Sequence, residues 1–165
     1  MVAIVILMLL VGLAMGNFKA MLMQNSFRAR IHEFVSAMES AAVAASQSDR
    51  RYEMVIDLIE QTYLLREITS PDLSEVLEEE IITEGSFGNN VIVEYVLFDD
   101  GEFADNARVK FRVGKSGFQY GGVIVMFDED EMPHSVVVNR MSNVITVESG
   151  EVGIMYPLSK EELPF

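Results

Sequence analysis

The sequence predicts an α+β fold, in which one long N-terminal α-helix packs on a mainly antiparallel β-sheet domain. Three observations carry that expectation. The segment from Asn17 to Arg51 contains neither proline nor glycine and places apolar residues at steps of three and four. From Tyr52 onward the chain breaks into short runs rich in β-branched and aromatic residues, several of them alternating, bounded by glycine, proline and aspartate. Helix comes first and strands come after it, the order of an α+β domain.

The helical reading begins at Met1. Residues 1–16, MVAIVILMLLVGLAMG, carry no charged or hydrogen-bonding side chain. A bilayer-spanning helix needs about 20 apolar residues, so the block alone is slightly short. It also lacks the basic start of a secretory signal peptide. Two readings stay open: a cleaved signal ending at Ala14-Met15-Gly16, or a retained anchor. The segment after Gly16 favours the anchor, because the chain does not break into a linker there. Phe27, Ile31, Phe34, Val35, Met38, Ala41, Ala42 and Ala45 form an apolar stripe, with Arg28, Arg30, Glu33, Glu39 and Gln47 largely off it. One helix from near Met1 to about Ser48 would be roughly 70 Å long. Its first half is apolar all round and its second half on one face only, the pattern of a stalk. Three parts result: 1–23 as the membrane-spanning or assembly half, 24–51 as the amphipathic half, and 52–165 as a β-rich globular domain.

In that last part, Tyr52–Leu58 and Gln61–Glu67 read as a hairpin turning at Ile59-Glu60. Ser70-Pro71 opens a polar segment in which Ser74–Ile81, SEVLEEEI, reads as a short acidic helix. Residues 85–90 read as a loop and Val91–Phe98 as a strand ended by Asp99-Asp100-Gly101. In Ala107–Val113, Val109, Phe111 and Val113 face one way, and Arg108, Lys110 and Arg112 the other. Gly121–Phe127, Ser135–Met141 and Val144–Val147 add further strands. The intervening GKSGFQYGG reads as a flexible turn or a bulge.

Composition narrows the function. The chain has 165 residues, a formal net charge of -14 and a sequence pI near 4.4. So acidic a surface repels phosphate backbones and anionic membranes. With no cysteine, thiolate metal sites, disulfides and cysteine nucleophiles are excluded.

The order of elements resembles a type IV pilin-like protein, the GspH/FimT type of minor pseudopilin of type II secretion and related pilus systems. MVAIVILMLLVGLAMGNF is similar to the pilin N-terminal helix. RARIHEFVSAMESAAVAASQSDRRYEMVIDL is similar to the continuation in which an alanine-rich helix passes into the first strand. KFRVGKSGFQYGGVIVMFDEDEMPHSVVVNRMSNVITVESGEV is similar to the closing hairpins. The resemblance implies a pilin-like fold and a structural, non-enzymatic subunit of a secretion pseudopilus. It implies a single pass through the inner membrane with a periplasmic domain. Its implied partners are other pseudopilin subunits, the inner membrane and the assembly platform. No cofactor is expected, and nucleic acid is not expected as a partner. Val5, Leu9, Gly12 and Gly16 are the expected helix-packing residues, the glycines allowing close approach of neighbouring helices.

The sequence departs from the family at the processing site, a glycine before phenylalanine, and at the glutamate five residues into the mature chain. The expectation is that a leader and a Phe-Thr-Leu-Ile-Glu-like run lie upstream of Met1; a truncated chain is the alternative. About six more apolar residues would bring the block to spanning length. Lys19, Arg28 and Arg30 come after the anchor, which by the positive-inside rule alone would put the domain in the cytoplasm. A basic leader would reconcile that with the periplasmic placement.

Other candidate chemistry is sparse. Asp99, Asp100, Glu102 and Asp105 crowd one loop and are weak calcium candidates, without the EF-hand spacing. A solvated turn is the default reading there, as it is for Asp128–Glu131. His32 and His134 read as exposed polar residues. Arg108, Lys110 and Arg112, with Lys115 nearby, form the one basic cluster. They keep open an alternative as a FimT-like minor pilin for DNA uptake or adhesion. A tethered extracytoplasmic enzyme is the third class, with no motif in its favour.

Overall fold

The computed structural model describes residues 25–69, 77–140 and 144–154 in full and residues 2–24 as helical backbone. Helix α1 runs unbroken over Val2–Gln47. Its apolar stripe, from Phe27 to Ala45, is buried at every one of the eight positions expected from the spacing. The helix ends in serines that fold back on it. Ser48 Oγ donates to Ala44 O at 2.7 Å, the local side-chain bonding that competes with further helix. Among the described residues no helix is long and apolar enough to cross a membrane.

Among the described residues ten strands succeed the helix: β1 Tyr52–Asp57, β2 Thr62–Glu67, β3 Ile81–Ser86, β4 Val91–Phe98, β5 Phe103–Ala104, β6 Arg108–Gly114, β7 Gly117–Phe118, β8 Gly122–Asp128, β9 Pro133–Val138 and β10 Ile145–Ser149. They form two five-stranded sheets, ordered β3-β2-β1-β6-β7 and β10-β9-β8-β4-β5. Every pairing is antiparallel.

This corrects the α+β, pilin-like expectation of a long helix on one mainly antiparallel sheet. Among the residues described in full, strand makes up 46% and helix, counted from residue 25, 22%; the strands divide between two sheets, so that part of the fold is mainly β with one helix. Alternation marks a strand but not its partner. The division arises because β4 pairs with β5 and β8 and leaves β1 and β6 to each other. Three strands lie where the sequence predicts none. Glu78–Glu80 is a single 3-10 turn rather than the end of an acidic helix, and β3 starts directly after it. Residues 74–76 of that expected helix, and the Ser70-Pro71 start of the segment before it, lie outside the described residues. The other two, β5 and β7, are two residues long and too short to alternate.

The helix and both sheets share one core. Phe34, fully buried, meets Tyr63 of β2 and Phe87 at ring-centroid distances of 5.2 and 5.3 Å. Phe111 of β6 meets Phe98 of β4 at 5.0 Å, which joins the inner faces of the two sheets. At the helix's other end Phe27 stacks on His134 of β9 at 4.4 Å. A polar clasp adds to this. Gln61, with φ of 53°, donates to Val93 O at 3.0 Å and accepts from Val93 N at 2.7 Å, at the bulge in β4. Gly85 is required by the same packing, since a Cβ there would sit 2.5 Å from the Tyr63 ring.

Phe34→Ala removes the ring that meets both Tyr63 and Phe87. It should cost about 3–5 kcal/mol, read as a lower denaturant midpoint at unchanged slope.

Candidate functional site

Sheet position decides where charge collects. β1 lies in the middle of the first sheet and is buried on both faces. Tyr52, Met54 and Ile56 enter the core, so Glu53, Val55 and Asp57 point to the sheet's outer face. The hairpin register sets Glu53 opposite Arg66, and the β1–β6 register sets Glu53 opposite Arg112, Val55 opposite Lys110 and Asp57 opposite Arg108. Cross-strand neighbours on one face lie about 5 Å apart, close enough for ion pairs.

The pairs are made. Glu53 Oε1 accepts from Arg66 Nε and Nη2 at 3.0 and 2.7 Å, and its Oε2 from Arg112 Nε at 2.5 Å. Lys110 Nζ stands 3.9 Å from the same carboxylate. Arg66 Nη1 reaches Glu80 at 3.1 Å, and the other Glu80 oxygen accepts from Thr69 N at 3.0 Å and from the Thr69 hydroxyl. The side chains of Glu53, Arg66 and Glu80 are 0%, 1% and 3% exposed, so this network is a buried one. Its physical effect is to fasten both ends of the connection between β2 and β3, Thr69 and Glu80, to the sheet.

Asp57 forms the second centre. Its Oδ1 accepts from the N–H groups of Ile59 and Glu60 at 3.1 and 3.0 Å, and its Oδ2 from Arg108 Nε at 2.6 Å. The Glu60 N–H first, and then the Arg108 guanidinium, hold the carboxyl below its usual range. Beside Asp57 an open cleft of about 610 Å³ is lined by Val55 and Leu64, by Arg108 and Lys110 of β6, and by Glu84 and Ser86 of β3. These carboxylates are acceptors locked by cations and backbone N–H groups. The arrangement therefore holds the strands in register.

The remaining candidates fall elsewhere. Val5, Leu9, Gly12 and Gly16 lie in the helix, and their side chains are outside the described residues. Asp99, Asp100, Glu102 and Asp105 lie in and beside the β4–β5 turn, where Glu102 N donates to Asp100 Oδ1 at 3.0 Å. Among the described residues no three of His, Asp and Glu come together to hold a metal ion. His134, expected on an exposed turn, instead lies half-buried in β9 under Phe27, 3.2 Å from Asp128 Oδ2. Burial raises the Asp128 pKa, but the Met132 N–H, His134 and the Asp130 N–H outweigh it and leave the carboxyl below its ordinary value.

The sequence points to Arg108, Lys110 and Arg112 but not to the carboxylates they meet. A signal for Glu53 is present in it. A hairpin turning at Ile59-Glu60 already sets Glu53 opposite Arg66. Nothing local marks Glu80, which joins the network across the β2–β3 connection. The chain matches no family model, no curated protein and no solved structure.

Arg66→Leu removes a buried cation from two carboxylates, Glu53 and Glu80, and should destabilise the fold by about 3–5 kcal/mol in chemical denaturation. Replacing Glu53, Arg66 and Glu80 together with apolar residues of similar size should recover much of that loss. For Asp57 the lowered pKa means stabilisation that is complete above the ordinary carboxyl value of 3.8 and lost as pH falls through the lower folded value. Melting curves of Asp57→Asn and of the unaltered chain should therefore differ at pH 7 and converge in strong acid.

Proposed function

We propose that this protein is a structural subunit of a secretion pseudopilus, held in the inner membrane before assembly by the first half of α1. The globular part would stand on the periplasmic side, and the partners would be other pseudopilin subunits and the assembly platform. One observation supports the reading: a single unbroken helix, Val2–Gln47, joins the apolar N-terminal sequence to the core of the β domain. From Phe27 to Ala45 it supplies one face to the core of the β domain. Before that, residues 1–16 have a sequence with no polar side chain. A helix that is apolar all round requires lipid or a bundle of like helices. A rigid continuation into a folded domain passes force and position from that bundle to the domain, which is what a fibre subunit requires.

The reading draws on the helix and the N-terminal sequence, not on the arrangement of the sheets. The β domain's chemistry agrees with a structural role, since its buried ionic groups fasten a connection. The alternative of DNA uptake rests on Arg108, Lys110 and Arg112. Each lies beside Glu53 or Asp57 in a chain of net charge -14, which makes polyphosphate a poor ligand.

The test is the state of the N-terminus in cells. Membranes should retain the chain through an alkaline carbonate wash, and peptide mass spectrometry of that fraction should find the 1–16 sequence still attached. A soluble form beginning at Asn17 would mean a cleaved signal and would overturn the proposal.

A further inference from the structure

The open edge of the first sheet is unequally occupied. Leu58 N donates to Ala107 O at 3.3 Å, which fixes the parity of the β1–β6 ladder. With the pairs Ile56–Val109 and Met54–Phe111, the odd-numbered residues of β6 bond to β1. The even-numbered residues Arg108, Lys110 and Arg112 therefore turn their backbone N–H and C=O groups the other way. Arg112 O is met there by Gln119 N at 2.8 Å, as β7 occupies that lane beside Val113 and Gly114. Then the chain leaves for β8 in the second sheet. Beside Arg108 and Lys110 the lane holds no backbone partner among the described residues. Two donors and two acceptors face outward along about 13 Å of strand.

We infer that this edge, Arg108–Phe111, receives an extended segment of a neighbouring protein by strand addition, and that the segment alternates acidic and apolar residues. Backbone polarity selects a polypeptide, because alternating N–H and C=O groups are matched by another strand. The side chains select the acid. Arg108, Lys110 and Arg112 all project to the outer face of this edge strand, and the Arg108 side chain is 71% exposed. Only two β1 carboxylates, Glu53 and Asp57, face these three cations, and Glu53 is shared with Arg66. Carboxylates of an added strand would lie beside Arg108 and Lys110, at cross-strand distance. Residues between them would point inward on the face of Val109 and Phe111, both buried in the core, and are therefore apolar. Charge alone would also draw a polyphosphate, but a polyphosphate cannot use the outward backbone N–H and C=O groups. The inference does not depend on the membrane anchor.

Amide hydrogen exchange on the full chain in detergent micelles tests it. The probe is a capped Glu-Val-Glu-Val-Glu-Val peptide, with Lys-Val-Lys-Val-Lys-Val as its counterpart. The acidic peptide should slow exchange at the Arg108 and Lys110 amides and leave those of Val109 and Phe111, already bonded to β1, unchanged. Lys110→Pro removes an outward N–H without touching the β1 ladder and should weaken binding about tenfold or more. If that variant melts early, the double change Arg108→Glu and Lys110→Glu asks the same question through charge and should also abolish protection. Unchanged exchange with the acidic peptide would overturn the inference. So would equal protection by the lysine peptide, or full binding to either variant. Concentration-dependent protection of both amides without peptide would assign the edge to a second copy instead, and would likewise overturn it.

Discussion

The structure depends on one burial event, the closure of two sheets over the apolar stripe of α1. From Phe27 to Ala45 that stripe meets strands of both sheets, and its removal would leave each inner face without a complete partner. Small residues near the helix end, Ala41, Ala42 and Ala45, are buried with little side-chain volume, while the larger Phe34 meets Tyr63 and Phe87. Close packing of this kind tolerates little volume change. The same demand explains Gly85, whose missing Cβ makes room for Tyr63.

A consequence appears on the far side of the first sheet. Because β1 is central and buried on both faces, every polar residue it carries must be paired. Glu53 and Asp57 meet that demand across the strand with Arg66, Arg112 and Arg108, and Glu80 is drawn in from the β2–β3 connection. Buried ion pairs are weak contributors to net stability, yet they penalise any register in which a charge loses its partner. The network thus fixes register and anchors a connection, while the exposed part of the same charge row is left at the open edge of β6.

The resemblance to minor pseudopilins rests on the N-terminal block, the alanine-rich helix and the closing strands. Its fold implication does not hold, and its functional implication stands as a proposal supported by the continuity of α1. Much of the strand content is legible in the sequence. Val91–Phe98 coincides with β4, and the Tyr52–Leu58 and Gln61–Glu67 segments match β1 and β2 within a residue at each end. Arg108, Lys110 and Arg112 are legible as one face of a strand. Their paired state is not, apart from the hairpin pairing of Glu53 with Arg66, because Glu80 is brought in by a connection whose path no local pattern sets.

By itself the sequence determined the elements whose signal is a local period. The helical stripe repeats every three or four residues and the strands every two, and solvent sorts each into a buried and an exposed face wherever it folds. It also determined that no thiol chemistry is possible and that the surface is acidic. Only the tertiary structure decided that the strands divide into two sheets, that β1 is buried twice over, and that among the described residues Arg108 and Lys110 of β6 turn backbone groups to an open edge. Those outcomes depend on which strands meet, and strand pairing is set by contacts between residues far apart in sequence, where periodicity carries no information.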